Sequence, residues 1–256
     1  MSDLQRLQGI HSVLEALRAR RRPLRKLLVR AGPLRGEIVE VVKAAGEAGV
    51  PVEEVGPEEL ARGGGPGGNP QGVALLAGPL PELELEEICM GEPGARTLVA
   101  LDGVEDPQNV GAIVRVAEAA GASGLVLTRR RAPPLSPALA RASAGAIEWL
   151  PVARVGNLVR SLKGLKSNGF WVVGAEPHAA TSLFRAPDRV LEGDLVVVMG
   201  AEGRGLRDGV RALVDHPVRI PTPGRVASLN VATAAAIVLF ELVRRRGLSN
   251  AGPESA

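Results

Sequence analysis

Three segments of this 256-residue sequence combine residue types that can handle a ligand, and each begins where an apolar run ends. The first is LDGVEDPQNVGAIVRVAEAAG (101–121), which holds an amide, Asn109, and a guanidinium, Arg115, six positions apart. That spacing does not put them on adjacent turns of one helical face. Read from pattern alone, Asn109 is as easily a helix cap and Arg115 a surface charge. Gly111 lets something approach closely at the helix start. The second segment is VVVMGAEGRGL (196–206), where Gly200, Gly203 and Gly205 are spaced GxxGxG around one carboxylate, Glu202. This is not the GxGxxG of a dinucleotide fingerprint, and GxxxxGK[ST] is absent from the chain, which excludes P-loop chemistry. What remains is a tight turn that exposes backbone groups. The third segment, RIPTPGRVASLNVATAAAIVLFELVRRR (219–246), runs from a Pro-rich loop through a polar step, Ser228–Leu229–Asn230, into a long helix. His11, His178, His216 and the single Cys89 lack ligand-like spacing, so neither a metal site nor an internal disulfide is expected.

The elements that must position these segments follow from hydrophobic periodicity. TLVALDG (97–103), GLVLT (124–128), FWVVGA (170–175), DLVVVMG (194–200) and HPVRIP (216–221) are continuous apolar runs with helical stretches between them. Such runs predict a parallel sheet covered on both faces, whose ligands bind beyond the carboxyl ends of the strands. Before them, helices are expected over 9–20, 34–48 and 57–61, and strands over 26–30, 50–55 and 72–77. GGGPGGNPQG (63–72) reads as a flexible loop. The division is therefore a small α/β domain over 1–78, an acidic Pro/Gly-punctuated linker over 79–96, a parallel α/β domain over 97–247 and a disordered tail over 248–256. From Val231 to Leu239 the last helix is apolar or small on every side, so it must be buried all round. One core covers one face; a partner subunit or an unusual chain path must cover the other.

Composition narrows the partners. Aromatic residues make up 2% of the chain, with no Tyr, which removes the stacking platforms of single-strand RNA readers. An RNA partner would be held mainly through phosphate and ribose. The net charge is +3, and Lys occurs only at 26, 43, 163 and 166, so the basic residues are overwhelmingly Arg, a bidentate phosphate ligand. Charge alone is weak support for nucleic acid. Arg129–Arg131 lie on the expected ligand side, Arg244–Arg246 complement a helix macrodipole, and Arg20–Arg22 suit either role. The N-terminal amphipathic pattern lacks a signal-peptide core. The most apolar stretch carries Ser228, Asn230, Thr233 and Glu241, which a membrane span would rarely hold, so a cytoplasmic protein is expected.

Taken jointly, N-x5-R at Asn109–Arg115, GAEGRGL at 200–206 and IP-x-x-G-x-x-x-SLNV-x-x-A from Ile220 resemble the SpoU (TrmH-like) family of RNA ribose 2′-O-methyltransferases, in the SPOUT superfamily. The resemblance implies a deep trefoil knot near the C-terminal end, a homodimer with active sites at its interface, and S-adenosyl-L-methionine (AdoMet) as methyl donor. It implies AdoMet in a cup formed by Gly200, Ile220 and Leu229. Asn109 and Arg115 would stand at the reacting ribose, with Glu202 fixing Arg115 or binding substrate and Ser228 and Asn230 completing the polar wall. Guanidinium groups stay protonated in proteins, so Arg115 is better suited to hold a phosphate than to act as a free base. GIHSVLEAL (9–17) and QGV (71–73) resemble the subgroup that modifies a guanosine of 23S ribosomal RNA, whose N-terminal domain resembles ribosomal protein L30e. Pro70 stands where that subgroup is expected to carry His. A transfer-RNA target, a non-catalytic ribosomal-RNA-binding or ribosome-assembly role, and a nucleotide-dependent dehydrogenase are the alternatives weighed; the missing fingerprint disfavours the last.

Overall fold

Apolar strands and amphipathic helices alternate through nearly the whole chain. A computed structural model describes residues 4–62, 71–90, 96–225 and 228–247. Most of the loop expected at 63–72 and all of the tail expected at 248–256 lie outside the described residues. In chain order the first part runs β1 (Gln5–Gln8), α1 (Ile10–Ala19), β2 (Leu24–Arg30), α2 (Glu37–Glu47), β3 (Val52–Val55), α3 (Pro57–Ala61) and β4 (Val73–Ala77). The rest runs α4 (Leu85–Ile88), β5 (Thr97–Asp102), α5 (Pro107–Ala119), β6 (Gly124–Thr128), α6 (Pro137–Ala142), β7 (Val152–Val155), α7 (Leu158–Ser167), β8 (Trp171–Ala175), β9 (Thr181–Ser182), β10 (Leu195–Gly200), α8 (Asp208–Arg211), β11 (His216–Arg219) and α9 (Val231–Arg245).

Two compact units result, and their membership is not sequential. The first takes residues 1–82, 106–115 and 133–150; the second takes 83–105, 116–132 and 151–256. The first unit holds a four-stranded sheet ordered β1-β4-β2-β3, in which only β2 and β3 run parallel. Leu7, Leu27 and Leu75 are fully buried in this sheet, and Val13, Leu14 and Leu17 line the buried face of α1. Strand β1 was not expected. QRLQ has too few apolar residues to show alternation, and only its antiparallel pairing with β4 makes it a strand.

The later segments of this unit are fixed by a buried ion pair. Arg22 and Glu148 are 1% and 0% exposed at their side chains, and Arg22 donates Nη2 and Nε to the two carboxylate oxygens at 2.7 and 2.9 Å. Arg21 adds bonds to the carbonyls of Glu148 and Leu150 at 3.3 and 2.9 Å. Arg20 reaches the carbonyl of Glu47. All three arginines of the first cluster are thus bonded within the first unit. Burial pushes the Glu148 carboxyl up, and the charge of Arg22 opposes that push.

In the second unit, seven parallel strands are ordered β7-β6-β5-β10-β8-β11-β9. Every residue of β5 and β6 is buried, as continuous apolar strands between two helical layers require. One face packs Leu98, Ala100, Val126, Val172, Val196 and Val198 against Leu158, Leu162 and Leu165 of α7. Two short strands, β7 and β9, escaped the sequence pattern because four and two residues are too few to show a period. The stretch read as linker is also partly built. Glu84 and Glu87 form a capping box on α4, Leu83 bridges Ala153, and Ile88 belongs to the apolar cluster of the second unit. Leu85 and Ile88, three apart, were the helical signal within that acidic stretch.

Within the single chain, helix α9 has one covered side, which is what one core supplies; the other is the side expected to need a partner subunit or an unusual chain path. Val231, Ala235, Val238, Leu239 and Leu242 are buried, yet Phe240 is 49% exposed and Thr233 is exposed as well. Arg244 and Arg245 stand in its last turn, where they complement the helix macrodipole, and Arg245 and Arg246 also tether the helix to other segments. Arg245 donates to the carbonyls of Leu183 and Ala186, and Arg246 to Thr97 Oγ1 and the carbonyl of Gly193. Hydrogen bonds from Arg244, and then from Arg245, overcome the cost of burial and hold the Glu241 carboxyl down at about 2.

Truncating one partner of the Arg22–Glu148 pair strands a buried charge. Arg22→Ala is expected to lower stability by about 3–5 kcal/mol in denaturant unfolding, while Arg22→Leu combined with Glu148→Leu loses less than either single change.

Candidate active site

The strand order reverses between β5 and β10. From β5 the chain steps outward to β6 and β7, then crosses to the other side for β8, and β10 later fills the gap. Such a switch point leaves a crevice beyond the carboxyl ends of the two strands. Gly200 and Asp102 are register partners at those ends. Val198, Gly174 and Pro217 share one level across β10, β8 and β11, so Gly200 and Ile220 leave the sheet at the same edge.

The turn after β10 folds back on itself. Ala201 and Gly205 form an isolated antiparallel bridge, and Gly203 and Gly205 have φ of +74° and +68°, the left-handed region open to glycine. A Cβ on Gly200 would stand 2.3 Å from the carbonyl carbon of Gly205 and 2.5 Å from the nitrogen of Leu206. Two pins fix this turn. Asp102, 1% exposed, accepts from the backbone N–H of Arg207 at 2.8 Å and from its Nε at 2.6 Å. Glu202 accepts from Asn230 Nδ2 at 2.7 Å and from the N–H of Val231 at 3.2 Å. Asn230 in turn caps α9, its Oδ1 accepting from the N–H groups of Ala232 and Thr233 at 2.9 and 3.2 Å. Glu202 therefore ties the Gly-rich turn to the start of α9. Ser228 and Leu229 are exposed beside the cap, and Ile220 is half-buried.

Asn109 and Arg115 share α5 and fall in the first unit, whereas Glu202, Ser228, Asn230, Gly200, Ile220 and Leu229 fall in the second. Asn109 is half-buried and Arg115 exposed. The capping alternative for Asn109 loses ground, because Asp106 Oδ1 accepts the N–H of Gln108 at 3.0 Å and α5 already starts at Pro107. The partner that comes close at Gly111 is protein. A Cβ there would lie 2.4 Å from that of Ala142, so Gly111 serves helix packing within the first unit. Asp102 was missed by the sequence reading. Its signal was a lone acid closing the apolar run TLVALD, a residue too costly to bury unpaired. Among the described residues no group of three or more His, Cys, Asp or Glu side chains is arranged to hold a metal ion.

Comparison with known proteins identifies the family. The SpoU rRNA Methylase family profile matches residues 96–240, and the profile for RNA 2′-O ribose methyltransferase substrate binding matches residues 6–83. The chain is 38% identical over 249 residues to the 23S rRNA (guanosine-2′-O-)-methyltransferase RlmB of Ralstonia nicotianae, covering 97% of this chain and 98% of that one. It is 37% identical over 244 residues to a Staphylococcus aureus protein provisionally described as a TrmH family tRNA/rRNA methyltransferase, covering 93% and 95% of the two chains. Among solved structures, the SpoU methyltransferase AviRb from Streptomyces viridochromogenes in complex with AdoMet superposes with a TM-score of 0.78 at 26% identity, covering 95% of this chain and 91% of that one.

The absence of a side chain at Gly200 is a packing requirement. Gly200→Ala is expected to cost about 1–3 kcal/mol as overpacking against the Gly205–Leu206 backbone. Gly224→Ala, whose Cβ would meet open space, is the control and should leave the unfolding midpoint within error.

Proposed function

Because the chain belongs to the SpoU rRNA methylase family, and is thus an AdoMet-dependent RNA ribose 2′-O-methyltransferase, we propose that it methylates a guanosine of 23S ribosomal RNA. The observation that carries this reading is the 38% identity to RlmB over 97% of this chain and 98% of that one, while the Gly-rich turn at the β5/β10 switch point, pinned by Asp102 on one side and by Asn230 on the other, supports a place for the methyl donor. The similarity to RlmB over almost the whole length of both chains favours the guanosine of 23S RNA over a transfer-RNA target. The match over 6–83 supports a substrate-binding role for the first domain, assigned to 1–78 and joined through 79–96 to a methyltransferase domain over 97–247. A ribosomal-RNA substrate supports a cytoplasmic location.

The residues present fit the donor. Gly200 ends β10 without a side chain, Leu229 exposes an apolar side chain beside the α9 cap, and Ile220 leaves the sheet at the same edge. Gly200, Ile220 and Leu229 would hold AdoMet, which when bound supplies an electrophilic methyl group. Asn109 and Arg115 are the residues proposed to hold the nucleotide that carries the reacting 2′-hydroxyl. Arg115 holds the adjoining phosphate as a bidentate cation, and the hydroxyl proton leaves to a phosphate oxygen. Glu202 keeps Ser228 and Asn230 in place as the polar wall.

The partly open face of α9, with Phe240 at its centre of exposure, supports a homodimer in which a second copy covers it. The insertion of β10 between the earlier strands β5 and β8 supports the family's trefoil knot, which a crystallographic chain trace reads directly.

In vitro, purified protein with AdoMet is expected to add one 2′-O-methyl group to a guanosine of a 23S RNA transcript, located by mapping ribose methylation. Methylation of bulk transfer RNA instead would move the target to that class. Arg115→Ala is expected to lower kcat by about 100-fold or more at saturating RNA while AdoMet still binds in calorimetry; near-normal turnover would remove Arg115 from the centre of the reaction. In sedimentation, the wild-type protein should run as a dimer and Phe240→Asp should shift it toward monomer, whereas a wild-type monomer at micromolar concentration would sink the dimer.

A further inference from the structure

The first unit contains a cavity of about 420 Å³ that no part of the methyl-transfer site uses. Leu34, Ile38 and Leu60 supply apolar lining, and Arg30, Arg35 and Gln71 supply polar groups. The cavity is built rather than incidental. Gln71 adopts a left-handed backbone with φ +49°, and its Oε1 accepts the N–H of Ile10 at the start of α1, at 3.0 Å. Next to it, Gly72 has φ +84°, and a Cβ there would stand 2.9 Å from Ile38 Cδ1. The turn thus spends two unusual conformations on bringing Gln71 to the wall and seating Ile38 against the chain.

The chemistry of the lining selects an occupant. Arg30 and Arg35 are exposed and carry no ion-pair or hydrogen-bond partner for their side chains among the described residues, and no acid lines the cavity. Two uncompensated guanidinium groups at an apolar hollow suit a ligand with one flat apolar body and an attached anion. A single unstacked nucleotide has that form, and its size falls in the range of pockets of about 300–1,000 Å³ that enclose small ligands. RNA that presents splayed-out bases is ordinarily read by aromatic stacking or by guanidinium planes. Trp149 is the only Phe, Tyr or Trp among the described residues of this unit, and its Nε1 is engaged by Glu15. Aliphatic faces and arginine planes must therefore replace aromatic platforms.

We propose that this cavity receives one unpaired nucleotide of the RNA substrate, with its base against Leu34, Ile38 and Leu60 and its phosphate on Arg30 and Arg35. The proposal rests on the reading of the chain as an RNA methyltransferase and gives its first domain a specific contact. It makes the first domain a reader of looped or bulged RNA, since a base held inside a helix cannot enter.

The full-length protein and a 23S RNA transcript test it. Arg30→Ala with Arg35→Ala is expected to raise KM for the transcript about tenfold with kcat nearly unchanged, and to lower the slope of log affinity against log salt by about 1–2. Leu34→Ser, an exposed position, should raise KM several-fold, to about the extent of a lost base-stacking contact, and leave the salt slope unchanged. A transcript carrying 4-thiouridine should crosslink to the peptide holding Leu34 and Ile38. Unchanged KM in both variants with no crosslink at 30–38 overturns the proposal. A loss confined to the arginine variant, again without a crosslink, also overturns it, because phosphate contact alone would remain. If the wild-type protein binds AdoMet yet leaves the transcript unmethylated, the assigned reaction fails, and the crosslink alone then decides for or against the cavity.

Discussion

The Gly200 position has no room for a side chain, because the turn that follows β10 doubles back until the Gly205–Leu206 backbone lies against it. Much of the candidate site depends on that close approach. The returning backbone stands at the carboxyl end of a buried parallel strand, at the point where the sheet order reverses. Such a turn has little intrinsic stability, since its glycines gain conformational freedom when the chain unfolds. It is held instead by two carboxylates. Asp102, buried at the end of the neighbouring strand, takes both the backbone and the guanidinium of Arg207. Glu202 takes the side chain of the residue that caps α9. A strand end, a fixed turn and a helix start thus form one hydrogen-bonded assembly within the second unit.

The same logic of buried polar pairs recurs where the chain has to be tied over long sequence separations. Arg22 and Glu148, 126 residues apart, meet without solvent in the first unit. Arg246 returns from the last helix to Thr97, 149 residues earlier. Arginine suits these tethers because one planar group reaches several acceptors in a fixed fork. An arginine-rich composition that might suggest nucleic-acid contact everywhere is in good part consumed inside the protein. The cations without an ion-pair or hydrogen-bond partner among the described residues, such as Arg30 and Arg35, are therefore the more informative ones.

What the sequence by itself determined was the periodic part of the fold and the identity of the chemical segments. Uninterrupted apolar runs marked five of the seven parallel strands, since a strand buried on both faces cannot hide its composition. The three segments at strand ends stood out because glycine, amide and carboxylate side chains are poor strand formers, so their clustering there needs another reason. Periodicity failed where elements were short or polar. QRLQ became β1 only through its partner β4, and LEEI became a helix only through its capping box and the cluster that receives Ile88.

Only the tertiary structure decided which residues act together. No spacing rule links Glu202 to Asn230 or Asp102 to Arg207, because contacts over 28 and 105 residues are set by strand order, and strand order leaves no local trace. It also decided between roles that composition left equal. Gly111 proved to admit a helix neighbour, the 20–22 arginines proved to bond within the first unit, and the chain's own core proved to cover one side of the last helix. A hydrophobic pattern states that a surface must leave water; it is the packing of the whole chain that settles which surface covers it.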